Sequence, residues 1–180
     1  AVAHIPATST THPTTPDAVQ LGPVLVRPTS PSQADPAHPL AAHFGPIRLR
    51  GYDLARDPAQ ERLELTLTWE AEAALPADYT VFVHLVGSAG EEEARAQGDA
   101  PPCGGHCPTS LWEPGDLWQD QHHVDTGALT EAGAPYRLII GWYDPQTGAR
   151  LPATDGEGHA LPNDQLPLCT FTSWPDGACE

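Results

Sequence analysis

Between residues 62 and 70 the chain reads RLELTLTWE, with Leu63, Leu65, Leu67 and Trp69 alternating with Glu64, Thr66, Thr68 and Glu70. Successive side chains of a strand point to opposite faces. A period of two therefore predicts an antiparallel strand with one face in a core and one in water. In DYTVFVHLVG (78–87) and YRLIIGWYD (136–144) both alternating sets are apolar, which predicts central strands covered on both sides. IRLRGYDL (47–54), LWQDQHHVDT (117–126), ARLPA (149–153) and LPLCTFTSW (166–174) read as shorter strands. Turn chemistry separates them: Asp-Pro at 57–58, Gly-Ser-Ala-Gly at 87–90, Glu-Pro-Gly-Asp at 113–116 and Asp-Pro-Gln-Thr-Gly at 144–148. The one helix-like piece, EEEARAQ at 91–97, follows a turn and reads as a solvated loop or an edge strand. Seven or eight short strands at this spacing predict an all-β fold: a single antiparallel β-sandwich, jelly-roll or immunoglobulin-like.

Residues 1–39 break this pattern. They hold eight of the 21 prolines, with Thr and Ser clustered at 8–15 and 29–32. Such a stretch builds no core and reads as an extended arm on a sandwich domain spanning 40–180. Inside it lies VQLGPVLVRP, where Val19, Leu21, Val24, Leu25 and Val26 form an apolar, β-branched run of strand-forming type. We read 19–27 as a candidate donor strand that adds to the edge of a sheet, its own or a neighbour's. Pro23 removes a backbone donor, which suits an edge position. Fully extended, the 39 residues reach up to ~130 Å. Donation from copy to copy is head-to-tail and builds a filament unless the rotation closes.

Charge narrows the partners. The net charge is −16, with eight Arg and no Lys. An anionic chain repels phosphate backbones and anionic lipid surfaces, so neither nucleic acid nor a membrane surface is an expected partner. No apolar run approaches the ~20 residues that cross a bilayer. The chain contains no Met, so the expectation is a removed leader or a piece of a longer protein. Four cysteines, with abundant Pro, fit export and an extracellular or cell-surface location. Four cysteines allow three pairings. The local one, Cys103 with Cys107 and Cys169 with Cys179, closes short loops and is expected. The rival is a metal held by the CGGHC stretch, with His106 between two thiols, but zinc sites ordinarily bring two ligand pairs together.

FGPIRLRGYDL, LELTLTW, DYTVFVHLVG, a Gly/Asp/Pro-rich loop, PTSLWEPGDLWQDQHHV and YRLIIGWYDPQTGARLP follow one another from Phe44 to Thr170. In this order they resemble the β-sandwich domain that follows the transmembrane part of some bacterial membrane glycosyltransferases, of the protein-mannosyltransferase and aminoarabinose-transferase group. The most specific pieces are VFVHL at 81–85, PTSLWEPGD at 108–116 and GWYDPQTGARLP at 141–152. The resemblance implies an extracytoplasmic sandwich. It transfers no catalysis, because the chemistry of those enzymes belongs to their membrane portion. Cys103, Cys107 and the arm depart from the resemblance.

No catalytic constellation emerges. Ser88 and Ser110 lack the glycines of a nucleophile elbow, and Gly104-Gly105 does not lie between a strand and a helix as a phosphate loop requires. His122 shares a strand face with Asp120, which reads as a hydrogen-bonded surface pair and, less directly, as half of a metal site. His84 reads as a satisfied, half-buried histidine. Glu91, Glu92 and Glu93 with Asp99 are oxygen ligands of the kind calcium uses, but their spacing matches no calcium loop and a solvated acidic turn is the favoured reading. Trp69 and Trp142 fall on core positions. Trp112 and Trp118 flank the EPGD turn; core packing is the favoured reading for them, and the alternative is a candidate sugar-stacking platform. The sequence therefore predicts a non-enzymatic exported structural protein without cofactor or metal, a subunit of an extracellular filament or surface assembly whose partners are other copies of itself. The alternative is a carbohydrate-binding accessory domain whose partners are glycans.

Overall fold

A computed structural model describes residues 35–87, 93–175 and 177–180. The described residues form nine strands: β1 (His38–Phe44), β2 (Ile47–Asp57), β3 (Arg62–Ala71), β4 (Thr80–Val86), β5 (Ala94–Gln97), β6 (Leu117–Asp125), β7 (Tyr136–Tyr143), β8 (Ala153–Asp155) and β9 (Leu166–Phe171). They form a five-stranded sheet in the order β6-β3-β2-β1-β8 and a four-stranded sheet in the order β5-β4-β7-β9. Every pairing is antiparallel. The two sheets pack face to face, the β-sandwich that the alternation predicts.

The alternation also sets which side chains fill the core. Leu63, Leu65, Leu67 and Trp69 of β3 are buried, and they face Val81, Val83 and Leu85 of β4 and Leu138, Ile140 and Trp142 of β7 in one apolar cluster. Trp69 meets Trp142 edge to face at 5.0 Å, and Trp142 meets Trp112 at 5.9 Å. Aromatic rings prefer such T-shaped contacts to face-on stacking.

The outer faces of β4 and β7 are covered as predicted, but by a loop rather than a third layer. Phe82 and Ile139 are buried, and the Arg150 guanidinium lies 4.6 Å from the Phe82 ring centre. The chain between β8 and β9 crosses the same face so closely that a Cβ on Gly141 would sit 2.3 Å from Phe82 and 2.9 Å from the Asp164 carbonyl.

Several element boundaries differ from the sequence pattern. β1 takes up His38 and Pro39, which the composition assigned to the arm, and its strand character comes from pairing with β2 and β8 on both sides. Of the run 149–153 only Ala153 enters β8, while Arg150 makes a single bridge to Tyr143. β9 stops at Phe171, short of Trp174. The helix-like EEEARAQ ends as edge strand β5 from Ala94 onward. The donor-strand candidate at 19–27 lies outside the described residues.

Candidate functional site

Strand β2 is longer than its neighbour. Ten of its eleven residues pair with β3 on one edge, from Ile47 opposite Ala71 to Asp57 opposite Arg62, with a bulge at Arg50. On the other edge β1 pairs only as far as His38 opposite Tyr52. Among the described residues no strand pairs with residues 53–57 on that side. A strand edge left open presents a row of backbone donors and acceptors to any chain that can align with them.

The chain joins the sandwich at this point. Pro36 packs against Gly51, where a Cβ would lie 2.5 Å from both the Pro36 ring and the His38 carbonyl. The Ala37 N–H donates to Asp53 Oδ1 at 2.8 Å, and His38 stacks on Tyr52 with ring centres 4.7 Å apart. Beside the open edge is a hollow of about 330 Å³, lined by His38, Leu54, Leu63, Phe171 and residues 177–179. Its far wall is the C-terminal tail. Residues 170 and 180 exchange backbone hydrogen bonds of 2.8 and 3.0 Å, and Cys169 is joined to Cys179. At one end the Arg56 guanidinium lies 4.2 Å from the Trp174 ring centre and 5.3 Å from that of Phe171.

Two of the other edge strands are short. β8 has three residues and β5 four. The β9 edge carries residues 179–180. Along β6, the Cys103 N–H donates to Asp120 Oδ1 at 2.8 Å, and a Cβ on Gly98 would meet the His123 carbonyl at 2.6 Å.

Trp112 and Trp118 are not an exposed platform. They are 1% and 4% exposed and stack on each other at 5.6 Å. Trp118 occupies an inward position of β6 opposite Trp69, and the Trp112 Nε1–H donates to the Cys107 carbonyl at 3.1 Å. The alternation of β6 turns Trp118 inward, and the EPGD turn brings Trp112 against it. The expected surface pair of Asp120 and His122 is also corrected, because both side chains are fully buried. His122 Nε2 lies 2.7 Å from Asp120 Oδ2, and Nδ1 lies 3.1 Å from the Gly98 carbonyl. A carbonyl only accepts, so Nδ1–H donates there and Nε2 meets the carboxylate through one shared proton. The alternation of β6 forces these polar residues inward with Trp118 and Val124, and the pair anchors the loop that Cys103 and Cys107 close. Neither residue has a face open to a ligand.

The cysteines pair locally as expected, Cys103 with Cys107 and Cys169 with Cys179. Their sulfurs are spent on each other, so CGGHC offers no thiolate pair to a metal. Glu91 and Glu92 lie outside the described residues. Asp99 accepts from the Val83 N–H at 3.1 Å and approaches His84 Nε2 at 3.0 Å.

Sequence reasoning missed two features, one made by distant segments and one by a single turn. His84, Ile139, Arg150, Asn163, Asp164 and Gln165 surround a cleft of about 430 Å³ on the outer face of β4 and β7. There Arg150 Nη1 donates to the Asn163 carbonyl at 2.7 Å. Nearby, burial and the Asp99 charge raise the pKa of Tyr143, against a hydrogen bond from Thr80. Asp155, Glu157 and His159 gather within 4.8 Å in an exposed turn, where the Asp155 carboxylate accepts from the backbone of residues 157 and 159.

Comparison of the chain with protein-family models, curated proteins and solved structures finds no match. Among the described residues no helix is long and apolar enough to cross a membrane.

Proposed function

We propose that this chain is an exported, non-enzymatic structural subunit that joins to copies of itself through the strand-forming stretch of its N-terminal arm, building an extracellular filament or surface layer. One observation carries the reading. Among the described residues no strand pairs with β2 beyond Tyr52 on the β1 side, and the arm with its apolar 19–27 run joins the fold at the same edge. A strand-forming stretch lowers its free energy by finding a sheet edge, and an open edge lowers its own by being covered. Two disulfides fit an oxidising compartment. The test is Val24→Asp with Val26→Asp in the full chain, read by light scattering and sedimentation. Loss of the assembled species is expected. Assembly of unchanged size would overturn the reading.

The second reading, a carbohydrate-binding accessory domain in line with the glycosyltransferase resemblance, now rests on the cleft at His84, Arg150 and Gln165 instead of the buried tryptophans. It combines an apolar floor at Ile139 with convergent donors and acceptors, the mixture that small-molecule sites use. Glycan-array binding lost on Arg150→Ala would support it. Binding that survives this change would remove the cleft from consideration.

A further inference from the structure

We infer that the cleft on the outer face of β4 and β7 binds an acidic sugar, one that carries a carboxylate, and that Arg150 and Arg137 receive its charge. This rests on the second reading above, the glycan-binding domain, and narrows it from glycans in general to those built of uronic acids.

The arginines point to an anion. The chain has 24 acidic side chains and eight Arg, so an arginine without an acid beside it is informative. Arg48 and Arg50 reach Glu70 at 3.7 and 3.1 Å, and Arg62 reaches Glu64 at 2.7 Å. Arg56 and Arg95 have partners too. Among the described residues Arg137 and Arg150 have no carboxylate partner, and the buried Nε of Arg137 has no hydrogen-bond partner. Both stand on one face. β7 turns Leu138, Ile140 and Trp142 into the core, so Arg137 and Ile139 lie on the outer side, where the Arg150 guanidinium covers Phe82. The register of β4 and β7 sets Phe82 beside Gly141, His84 beside Ile139 and Val86 beside Arg137. The cleft at His84 and Ile139 therefore lies between Arg150 and Arg137, the latter ~7 Å further along the strand.

The acids near the cleft already have donors. Asp164 Oδ1 accepts the Ala153 N–H at 3.0 Å. Asp99 Oδ1 accepts the Val83 N–H at 3.1 Å and lies 3.0 Å from His84 Nε2. Arg150 is positioned by neutral groups instead: its Nη1 donates to the Asn163 carbonyl at 2.7 Å and to Gln165 Oε1 at 3.4 Å. Neither acceptor carries a full charge, so the guanidinium is fixed in place with its charge uncompensated. Its planar fork of N–H donors matches the geometry of a carboxylate.

The rest of the cleft selects the body of the ligand. Its volume of about 430 Å³ falls within the range of small-molecule sites and holds more than a lone carboxylate or phosphate. Phe82 and Ile139 are 2% and 3% exposed, so little apolar surface is offered and the chain of a fatty acid finds no wall to lie on. Gln165, Asp164 and the His84 ring line the space and bring both donors and acceptors for hydroxyl groups. A ring bearing hydroxyls and one carboxylate meets all of these conditions. The −16 of the whole chain repels polyanions at a distance, but at 0.15 M salt that field is screened beyond ~8 Å, and the two cations without acid partners decide at contact.

The full chain in 0.15 M salt is titrated calorimetrically with short oligosaccharides of galacturonic, glucuronic and mannuronic acid, and with their methyl esters, which keep the ring and its hydroxyls and lose the charge. At least one acid should bind, with its ester about 10- to 100-fold weaker, as loss of a charge-assisted contact requires. Arg150→Gln and Arg137→Gln should each weaken the acid more than the ester, while Arg48→Gln, on the other sheet, leaves binding unchanged. The melting temperature of each variant is measured first, and Arg137→Gln carries the test if Arg150→Gln does not fold. Acid binding untouched by both substitutions overturns the site. Acid and ester bound alike, and both lost on Arg150→Ala, overturn the inference and leave the glycan reading of the cleft standing. So does a neutral glycan held through Arg150 when no acid binds. No binding of any glycan overturns both.

Discussion

Asp120→Ala tests whether the buried pair on β6 holds this end of the sandwich together. The carboxylate meets the His122 ring at 2.7 Å and accepts the Cys103 N–H at 2.8 Å, with both its own side chain and that of His122 fully buried. Alanine leaves two buried polar groups, the Cys103 N–H and the His122 Nε2, without partners. Each costs ~1–3 kcal/mol, and breaking a buried charged pair by removing one partner costs ~3–5 kcal/mol. The two routes agree on a loss of ~4 kcal/mol, a large part of the ~5–15 kcal/mol that stabilises a domain. In urea melts with an m-value of ~2 kcal/mol per molar, that moves the midpoint down by ~2 M. Asp120→Asn should cost less, because its carbonyl can still accept from Cys103 while its amide faces a ring nitrogen free to accept. The surface control Gln121→Ala should stay within ~0.5 kcal/mol. If Asp120→Ala melts within ~1 kcal/mol of the unsubstituted protein, the pair is not the anchor described and the argument from burial fails.

Three further outcomes follow from the same geometry. Trp112→Ala removes a buried ring from the Trp69–Trp142 cluster and should cost ~3–5 kcal/mol, visible as a lower melting temperature; a stability loss under ~1 kcal/mol would place the ring outside the core. Replacing Cys103 and Cys107 together by Ala opens a loop of separation 4, and replacing Cys169 and Cys179 one of separation 10. Chain entropy gives ~2 and ~3 kcal/mol, so the second replacement should lower the melting temperature more, and the reverse order would contradict the loop argument. The carboxyls of Asp144 and Asp155 are held below the usual range, Asp144 first by the Gln146 N–H and then by the Thr147 hydroxyl, Asp155 first by the His159 N–H and then by the Glu157 N–H and the His159 ring, in each case against some desolvation. A lowered folded pKa stabilises in full above the ordinary Asp value of ~4 and is lost as pH falls through the lowered value; carboxyl-carbon NMR midpoints at or above ~4 would contradict this.

The sequence by itself determined the class of fold. The alternation in β3, β4, β6 and β7 follows from the two-residue period of a strand, which depends only on backbone geometry, and it assigned inward and outward residues almost one by one. The same alternation put Asp120 and His122 on one face but did not say that the face was inward, because polar residues there argue for solvent until a partner is known. Local cysteine pairing was legible for a similar reason, since short loops need no knowledge of the rest of the chain. Tertiary structure decided everything that depends on which segments meet. HPLAAHF has few strong strand formers and becomes β1 because open edges flank it. Trp118 is buried because the core covers the inward face of β6, and Trp112 because the EPGD turn brings it against Trp118 and Trp142. Among the described residues β2 outruns β1 only as a mismatch in length between the two strands, and the hollow beside it exists only because the C-terminal tail pairs with β9. Neither is written in any one segment, since an edge is defined by the neighbour that stops short.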